Sequence, residues 1–309
     1  MENKENNFIS AVLYIHNNAN SIKTFISKIN AVFRENFKKY EIVCVNDCSD
    51  DNSVEIIREC GGNLEGGAII LVNTGFYQGL ESAMLAGVDY AAGDFVFEFD
   101  TLDSDYEATT IMDVYHHCIN GCDIVGASSS TKLRKSSQMF YALFNRFSHV
   151  QYKIKTESFR ILSRRAINRI NQMSLTIPYR KAIYANCGLK YENITYKSIP
   201  GTQAIHKLNS AYRQGIAFDS LIIFTNLAYK ISLILTFLMI CFSVFSGVYT
   251  LIVYLNGNPV AGWTTTMLML SFGFFGIFGI LSIIIKYLSV IINLIFKKTK
   301  YVIGSIERL

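Results

Sequence analysis

Two stretches without a charged residue, Ile231 to Leu255 and Trp263 to Ile285, constrain this chain more than any other feature. Each exceeds the roughly 20 residues that carry an α-helix across a bilayer. A helix of that length with no polar face has no ready place in a water-soluble core. The pattern predicts two membrane-spanning helices, a hairpin over residues 231–293. The connector, Asn256 to Gly262, is short, uncharged and rich in turn formers. The outer flanks are basic: Arg213 and Lys230 before the pair, Lys286, Lys297, Lys298, Lys300 and Arg308 after it. The positive-inside rule then places both chain ends in the cytoplasm and the connector outside. The expectation is a multi-pass protein of the cell membrane, with its large domain and its C-terminal tail, 294–309, on the cytoplasmic side. Residues 213–230 read as an amphipathic juxtamembrane helix lying in the interface.

The net charge of +5 over 309 residues suits a protein resting against anionic lipid. No basic motif with interleaved aromatics accompanies it, which argues against a nucleic-acid partner. The first residues, MENKENNFIS, contain no apolar core after a basic start, so no signal peptide is expected. The seven cysteines form no CxxC pair and read as free thiols in a reducing compartment. Gly273, Gly276 and Gly279, three apart in the second apolar stretch, would allow close helix packing, within one protomer or in a homo-oligomer.

Residues 1–212 alternate short β-like runs with helical periodicity. Ile9–Ile15, Glu41–Val45, Ala68–Val72, Phe95–Phe99 and Asp123–Ala127 read as strands. Ile22, Phe25, Ile26, Ile29, Val32 and Phe33 recur at helical spacing between the first two. Further helices fall near 54–60, 79–92 and 107–119. Such alternation implies a mostly parallel sheet covered on both faces, an α/β, Rossmann-like domain. In open α/β sheets ligands bind at the C-terminal strand edge. Here that edge is polar. The second strand runs into Asn46-Asp47-Cys48-Ser49, and the fourth ends in a cluster of acids, Asp100, Asp103 and Asp105. Clustered carboxylates at a strand end suit a hard divalent cation and, through it, a diphosphate.

These segments, taken in order, resemble the membrane-anchored family 2 glycosyltransferases that act on polyprenyl phosphates, the group of dolichyl-phosphate mannose synthases and bactoprenol glucosyl transferases. VNDCSDDNS (45–53) looks like the family's V-D-D-G-S-x-D-G-S turn, and GDFVFEFDTLDSD (93–105) like its G-D-x-V-x-x-x-D-A-D-L-Q-D segment. TESFRILSRR (156–165) looks like T-G-S-F-R-L-x-x-R, and NPVAGWTT (258–265) like the P-x-x-G-W-T-S between two terminal helices. The chain departs from the pattern at Asn18, Asn46, Cys48 and Leu102, where the family carries an acid, an acid, a glycine and the second acid of D-x-D.

The resemblance implies a GT-A fold and transfer with inversion from a UDP- or GDP-linked sugar to a polyprenyl phosphate, undecaprenyl or dolichyl, in cell-surface glycan assembly. It implies that Asp47 hydrogen-bonds the nucleotide base, with Asn17, Ser49, Asn73 and Gly75 also lining the nucleotide-sugar site. Asp100 would bind the metal, Mg²⁺ or Mn²⁺, and the sugar diphosphate, helped by Asp103. Arg160, Arg164 and Lys207 would face phosphate groups. A lipid phosphate is already anionic, so its attack needs positioning and charge compensation more than a strong base. Glu157, by contrast, could act as a base for a hydroxyl acceptor, or be no more than an exposed strand-end acid. Two alternatives stand beside this reading. One is transfer to another membrane or polysaccharide acceptor. The other is a catalytically weak membrane scaffold of the same fold.

Overall fold

The computed structural model describes residues 4–199, 262–296 and 301–309, apart from 63, 65, 132–134, 149–150 and 174–178, together with scattered positions between 215 and 245. In chain order the elements are β1 (Glu5–Ile15), α1 (Ala19–Asn36), β2 (Phe37–Asn46), α2 (Ser53–Gly62), β3 (Ala68–Thr74), α3 (Leu80–Tyr90), β4 (Phe95–Phe99) and α4 (Thr109–Ile119). They continue with β5 (Ile124–Ser129), α5 (Lys135–Phe147), β6 (Phe159–Ser163), α6 (Arg164–Gln172), α7 (Arg180–Tyr184), β7 (Tyr191–Tyr196), α8 (Trp263–Phe296) and β8 (Ile303–Arg308).

One sheet of order β7-β5-β6-β4-β1-β2-β3-β8 organises the chain. The pairs β1–β2, β1–β4, β2–β3 and β5–β7 are parallel, whereas β6 and β8 run against their neighbours. The expected mostly parallel α/β domain is therefore present. Alternation along β1 explains its two faces. Ile9, Ala11, Leu13 and Ile15 join one core with α1 and α4; Val12 and Tyr14 join a second with α3, α6 and α7. Gly87 lets α3 settle on the sheet, since a Cβ there would lie 2.3 Å from Val12 and 2.6 Å from Val45.

The C-terminal tail differs from expectation. Residues 303–308 are the eighth strand, antiparallel to β3 in the register Val72↔Ile306, and not a separate cytosolic appendage. The pairing covers a β3 edge that would otherwise be open, with a register irregularity between Asn73 and Thr74. The large domain is thus completed by residues beyond the second apolar stretch, and its boundary at 212 does not enclose the whole sheet. Among the described residues, no helix is long and apolar enough to cross a membrane. The backbone of α8 is nevertheless helical over 34 residues, with Phe274, Ile277, Leu281, Ile284 and Leu288 exposed on it. Most of the first apolar stretch and of the juxtamembrane segment, and nearly all of the connector, lie outside the described residues.

Candidate active site

The parallel strands β1, β2, β3 and β4 bring their C-terminal ends to one edge. Ile15 pairs with Asn46, and Asn46 with Asn73, so these ends are level; Phe99, the last residue of β4, pairs with Leu13. The strand end at Asn73 and the loops that carry Asn17, Asp47, Ser49, Gly75 and Asp100 lie along this edge. Lys207 lies outside the described residues.

At the β1–β3 end the groups knit together. Asn17, with φ of 55°, donates from its backbone to Ser49 Oγ at 3.1 Å and accepts from the Asp50 amide at 2.8 Å. Asn46 donates to Asn73 Oδ1 at 2.9 Å and accepts from the Ser49 amide at 3.1 Å. Asp47 is fully buried, and its carboxylate accepts four hydrogen bonds. They come from Tyr14 Oη at 3.1 Å, Thr74 Oγ1 at 3.1 Å, and the Gln78 and Gly79 amides at 2.9 and 2.8 Å. The expectation that Asp47 hydrogen-bonds the base is corrected here: its oxygens are inside the protein and committed to shaping the loop after β3. His16 donates from Nδ1 to the Asp47 backbone oxygen at 2.7 Å.

At the β4 end the acids meet two buried arginines. Arg160, opposite Glu98 across the β4–β6 pair, donates to Glu157 at 2.8 Å, Glu98 at 2.5 Å and Asp100 at 2.7 Å. Arg180, at the start of α7, donates from its amide and from Nε to Glu81, each at 2.9 Å, and from Nη2 to Asp100 at 2.7 Å. Its Nη1 lies 3.0 Å from Glu98 but at an angle that makes no hydrogen bond. Tyr184 donates to Glu98 at 2.6 Å, Tyr191 donates to Glu157, and Lys181 stands 3.9 Å from Glu157. Burial opposes ionisation of Asp100, but Arg160, Arg180 and Lys181 outweigh it and hold its carboxyl well below the usual carboxylate range. The same balance keeps both guanidinium groups firmly charged: burial works against them, and Asp100 and Glu98 overcome it.

Three expected roles change as a result. Arg160 has no exposed face and so does not itself present to phosphate; its contact toward the strand edge is Asp100. Glu157 is buried between Arg160 and Tyr191 and is neither an exposed acid nor an available base. Arg164 sits at the opposite end of β4, where it donates to the backbone oxygens of Ala91 and Gly93, so it faces no phosphate at the C-terminal edge. The first residue of α6 necessarily lies there, because β6 runs antiparallel to β4. The acids after β4 also sort themselves. Asp105 is buried and accepts from Tyr196 at 2.5 Å and Ser198 at 3.0 Å, and Leu102 is buried too. Asp103 is half-buried in the same loop, three residues after Asp100.

Sequence reasoning passed over Arg180, Glu81 and Tyr184. Glu98 carried a signal that was there to be read: a charge inside a five-residue buried strand demands a partner. Nothing in the local sequence marks Arg180. Among the described residues, no group of three or more His, Cys, Asp or Glu side chains is placed to hold a metal ion. With both Asp100 oxygens paired to guanidinium groups, the residues present fit an ion that arrives with a diphosphate and keeps water ligands. They do not make a cage for a resident one.

Sheet order, helical layers and a polar C-terminal strand edge define a GT-A-like α/β domain. A mannosyltransferase from Pyrobaculum calidifontis, solved in complex with GDP-Man and Mn²⁺, shares this fold with a TM-score of 0.51 at 14% identity, over 71% of this chain and 63% of that one. Residues 10–170 match glycosyl transferase family 2, and the chain belongs to that family. It is a glycosyltransferase. It is 25% identical over 274 residues to an uncharacterised glycosyltransferase of Synechocystis, covering 85% of this chain and 84% of that protein. It is also 25% identical over 316 residues to the SfII prophage-derived bactoprenol glucosyl transferase of Shigella flexneri, covering 97% and 98%.

Proposed function

We propose that the protein transfers a sugar from a UDP- or GDP-linked donor to a polyprenyl phosphate at the cytoplasmic face of the cell membrane. The observation that carries this reading is the end-to-end likeness to a bactoprenol glucosyl transferase, which spans 97% of this chain and so includes the apolar C-terminal part and not the sheet domain alone.

The site chemistry is consistent with it. The nucleotide would lie over the ends of β1 to β3, with Asn17, Ser49, Asn73 and Gly75 around it and Asp47 fixing the loop beneath. Its diphosphate would reach Asp100. Asp100 and Asp103 would hold a Mg²⁺ or Mn²⁺ brought in with the donor, and that ion would neutralise charge on the departing diphosphate. Arg160 and Arg180 hold the Asp100 carboxylate ionised and in one orientation, which is preorganisation of the kind that transfer to an anionic acceptor needs. The acceptor phosphate needs no strong base, in keeping with the burial of Glu157. Lys207 is the candidate for direct contact with phosphate. We place the two apolar stretches in the bilayer, the second along α8, so that enzyme and lipid acceptor meet at high effective concentration.

The test is transfer by the full-length protein in lipid nanodiscs containing undecaprenyl phosphate. Radiolabelled UDP-glucose, UDP-N-acetylglucosamine and GDP-mannose are supplied in turn. A labelled, mild-acid-labile lipid is expected with one of them. Hydrolysis without any labelled lipid would point to a different acceptor.

A further inference from the structure

We propose that Tyr77 is the stacking face for the nucleobase of the donor, an inference that rests on the donor reading above. The side chain is 47% exposed and stands in the loop after β3, at the ligand-binding edge of the sheet. Its ring centroid is 4.8 Å from that of His16, which follows β1, and the two planes are tilted by 50°. The pair therefore bridges the ends of β1 and β3 across β2, the strand that ends in Asn46.

A lone exposed aromatic is ordinary on a protein surface. This one is set apart by how its loop is held. From within, the buried Asp47 carboxylate accepts the Gln78 and Gly79 amides, immediately after the ring. From without, the Gln78 side chain pairs with Val302 of the C-terminal tail in both directions: Nε2 donates to the Val302 oxygen at 2.5 Å, and the Val302 amide donates to Oε1 at 2.7 Å. The Gly75 amide adds a second bond to that Val302 oxygen, at 3.2 Å. A ring on a loop clamped from both sides is already ordered, so a ligand that lands on it loses little of its binding energy to fixing it.

What fits a fixed aromatic face beside polar edges is a flat ring with hydrogen-bonding groups on its rim. Asn17 and Ser49 stand at the adjoining strand ends. Every nucleobase offers a π-face, so the ring serves uracil or guanine alike, and discrimination falls to the polar neighbours. Asp100 lies beyond β1 at the end of β4, which leaves the diphosphate to run along the strand edge away from the base.

The experiment is calorimetry on the full-length protein in detergent, with UDP, GDP and, as a base-free probe, magnesium pyrophosphate. Base–aromatic stacking contributes roughly 5- to 150-fold in affinity per base, so Tyr77→Ala is expected to weaken the preferred nucleotide about tenfold or more, and Tyr77→Phe by less than about threefold. Pyrophosphate binding is expected to be unchanged in both. Tyr77→Leu keeps apolar bulk without the π-face; it is expected to melt like the wild type and to lose nucleotide as Tyr77→Ala does. Unchanged nucleotide affinity in Tyr77→Ala and Tyr77→Leu overturns the proposal, as does an equal loss of pyrophosphate. A wild-type protein that binds neither nucleotide overturns the donor reading, and this proposal with it.

Discussion

Asp100 receives one guanidinium on each carboxylate oxygen, and this double pairing decides what substitutions there should do. Asp100→Ala removes the group expected at the diphosphate, and it also leaves two buried arginines short of a partner. Breaking a buried ion pair from one side costs about 3–5 kcal/mol. We therefore expect Asp100→Ala to abolish transfer and to lower the melting temperature clearly, a change visible in a thermal unfolding scan. Arg180→Lys should be nearly as damaging, because a single ammonium cannot reach Glu81, Glu98 and Asp100 together as the planar fork does. Its expected signature is a fall in kcat of at least about tenfold, an amount equal to about 1.4 kcal/mol of barrier. The pH dependence has a definite sign. Asp100 has a folded pKa below its unfolded value of 3.8, so its contribution to stability is present above about pH 4 and is lost as pH falls toward the lower folded value. Melting temperature followed from pH 7 to pH 3 should drop in the wild type, and the acid part of that drop should be shallower in Asp100→Asn.

At the scale of elements, β8 has the widest consequences. It caps β3 by backbone pairing and by side chains: Asn73 donates to Ser305 at 3.0 Å, and Arg58 grips Glu307 at 2.9 and 3.0 Å. The Arg58–Glu307 pair is exposed, so Glu307→Ala should leave thermal unfolding almost unchanged. Removal of residues 301–309 should behave quite differently. It strips the partner from β3, leaves an apolar edge open to other chains, and is expected to yield a protein that aggregates and is cut rapidly by protease. What the sequence made legible follows the same logic. Strands β1 to β4 declare themselves because a strand buried on both faces is a short apolar run, and Phe95–Phe99 is read to the residue. Helix α1 declares itself through its inward stripe from Ile22 to Phe33. By contrast β8, β7 and α7 are short, mixed in polarity and defined by long-range partners. The roles of Arg164 and Asp47 hid for a related reason. Their positions in motifs are plain, but whether a side chain points at ligand or at backbone is set by strands far away in sequence.

For the whole molecule, the proposal to test is that the two apolar stretches lie in a bilayer. The uncharged run from Trp263 to Ile285 and the exposed Phe274, Ile277 and Leu281 on α8 motivate the proposal that this stretch lies in the bilayer. The full-length protein is expected to stay with membranes through an alkaline carbonate wash, and a C-terminal tag should be reachable by protease only once the cytoplasmic side is opened. Recovery in the wash supernatant would sink the placement. The lack of a ready-made metal cage among the described residues makes a second prediction. Mn²⁺ alone should bind weakly, and UDP or GDP should tighten it, as calorimetry with and without nucleotide would register; tight binding to the nucleotide-free protein would contradict an ion carried in by substrate.

Because the closing strand of the catalytic sheet is encoded after every apolar segment, the order of biosynthesis becomes part of the architecture. The ribosome delivers β1 to β7, then the apolar stretches, and only after them the piece that seals the β3 flank. Until β8 emerges, the domain waits with one border unfinished. Completion of the sheet is thereby tied to synthesis of residues 303–308, and a product terminated before them would lack the strand that borders β3.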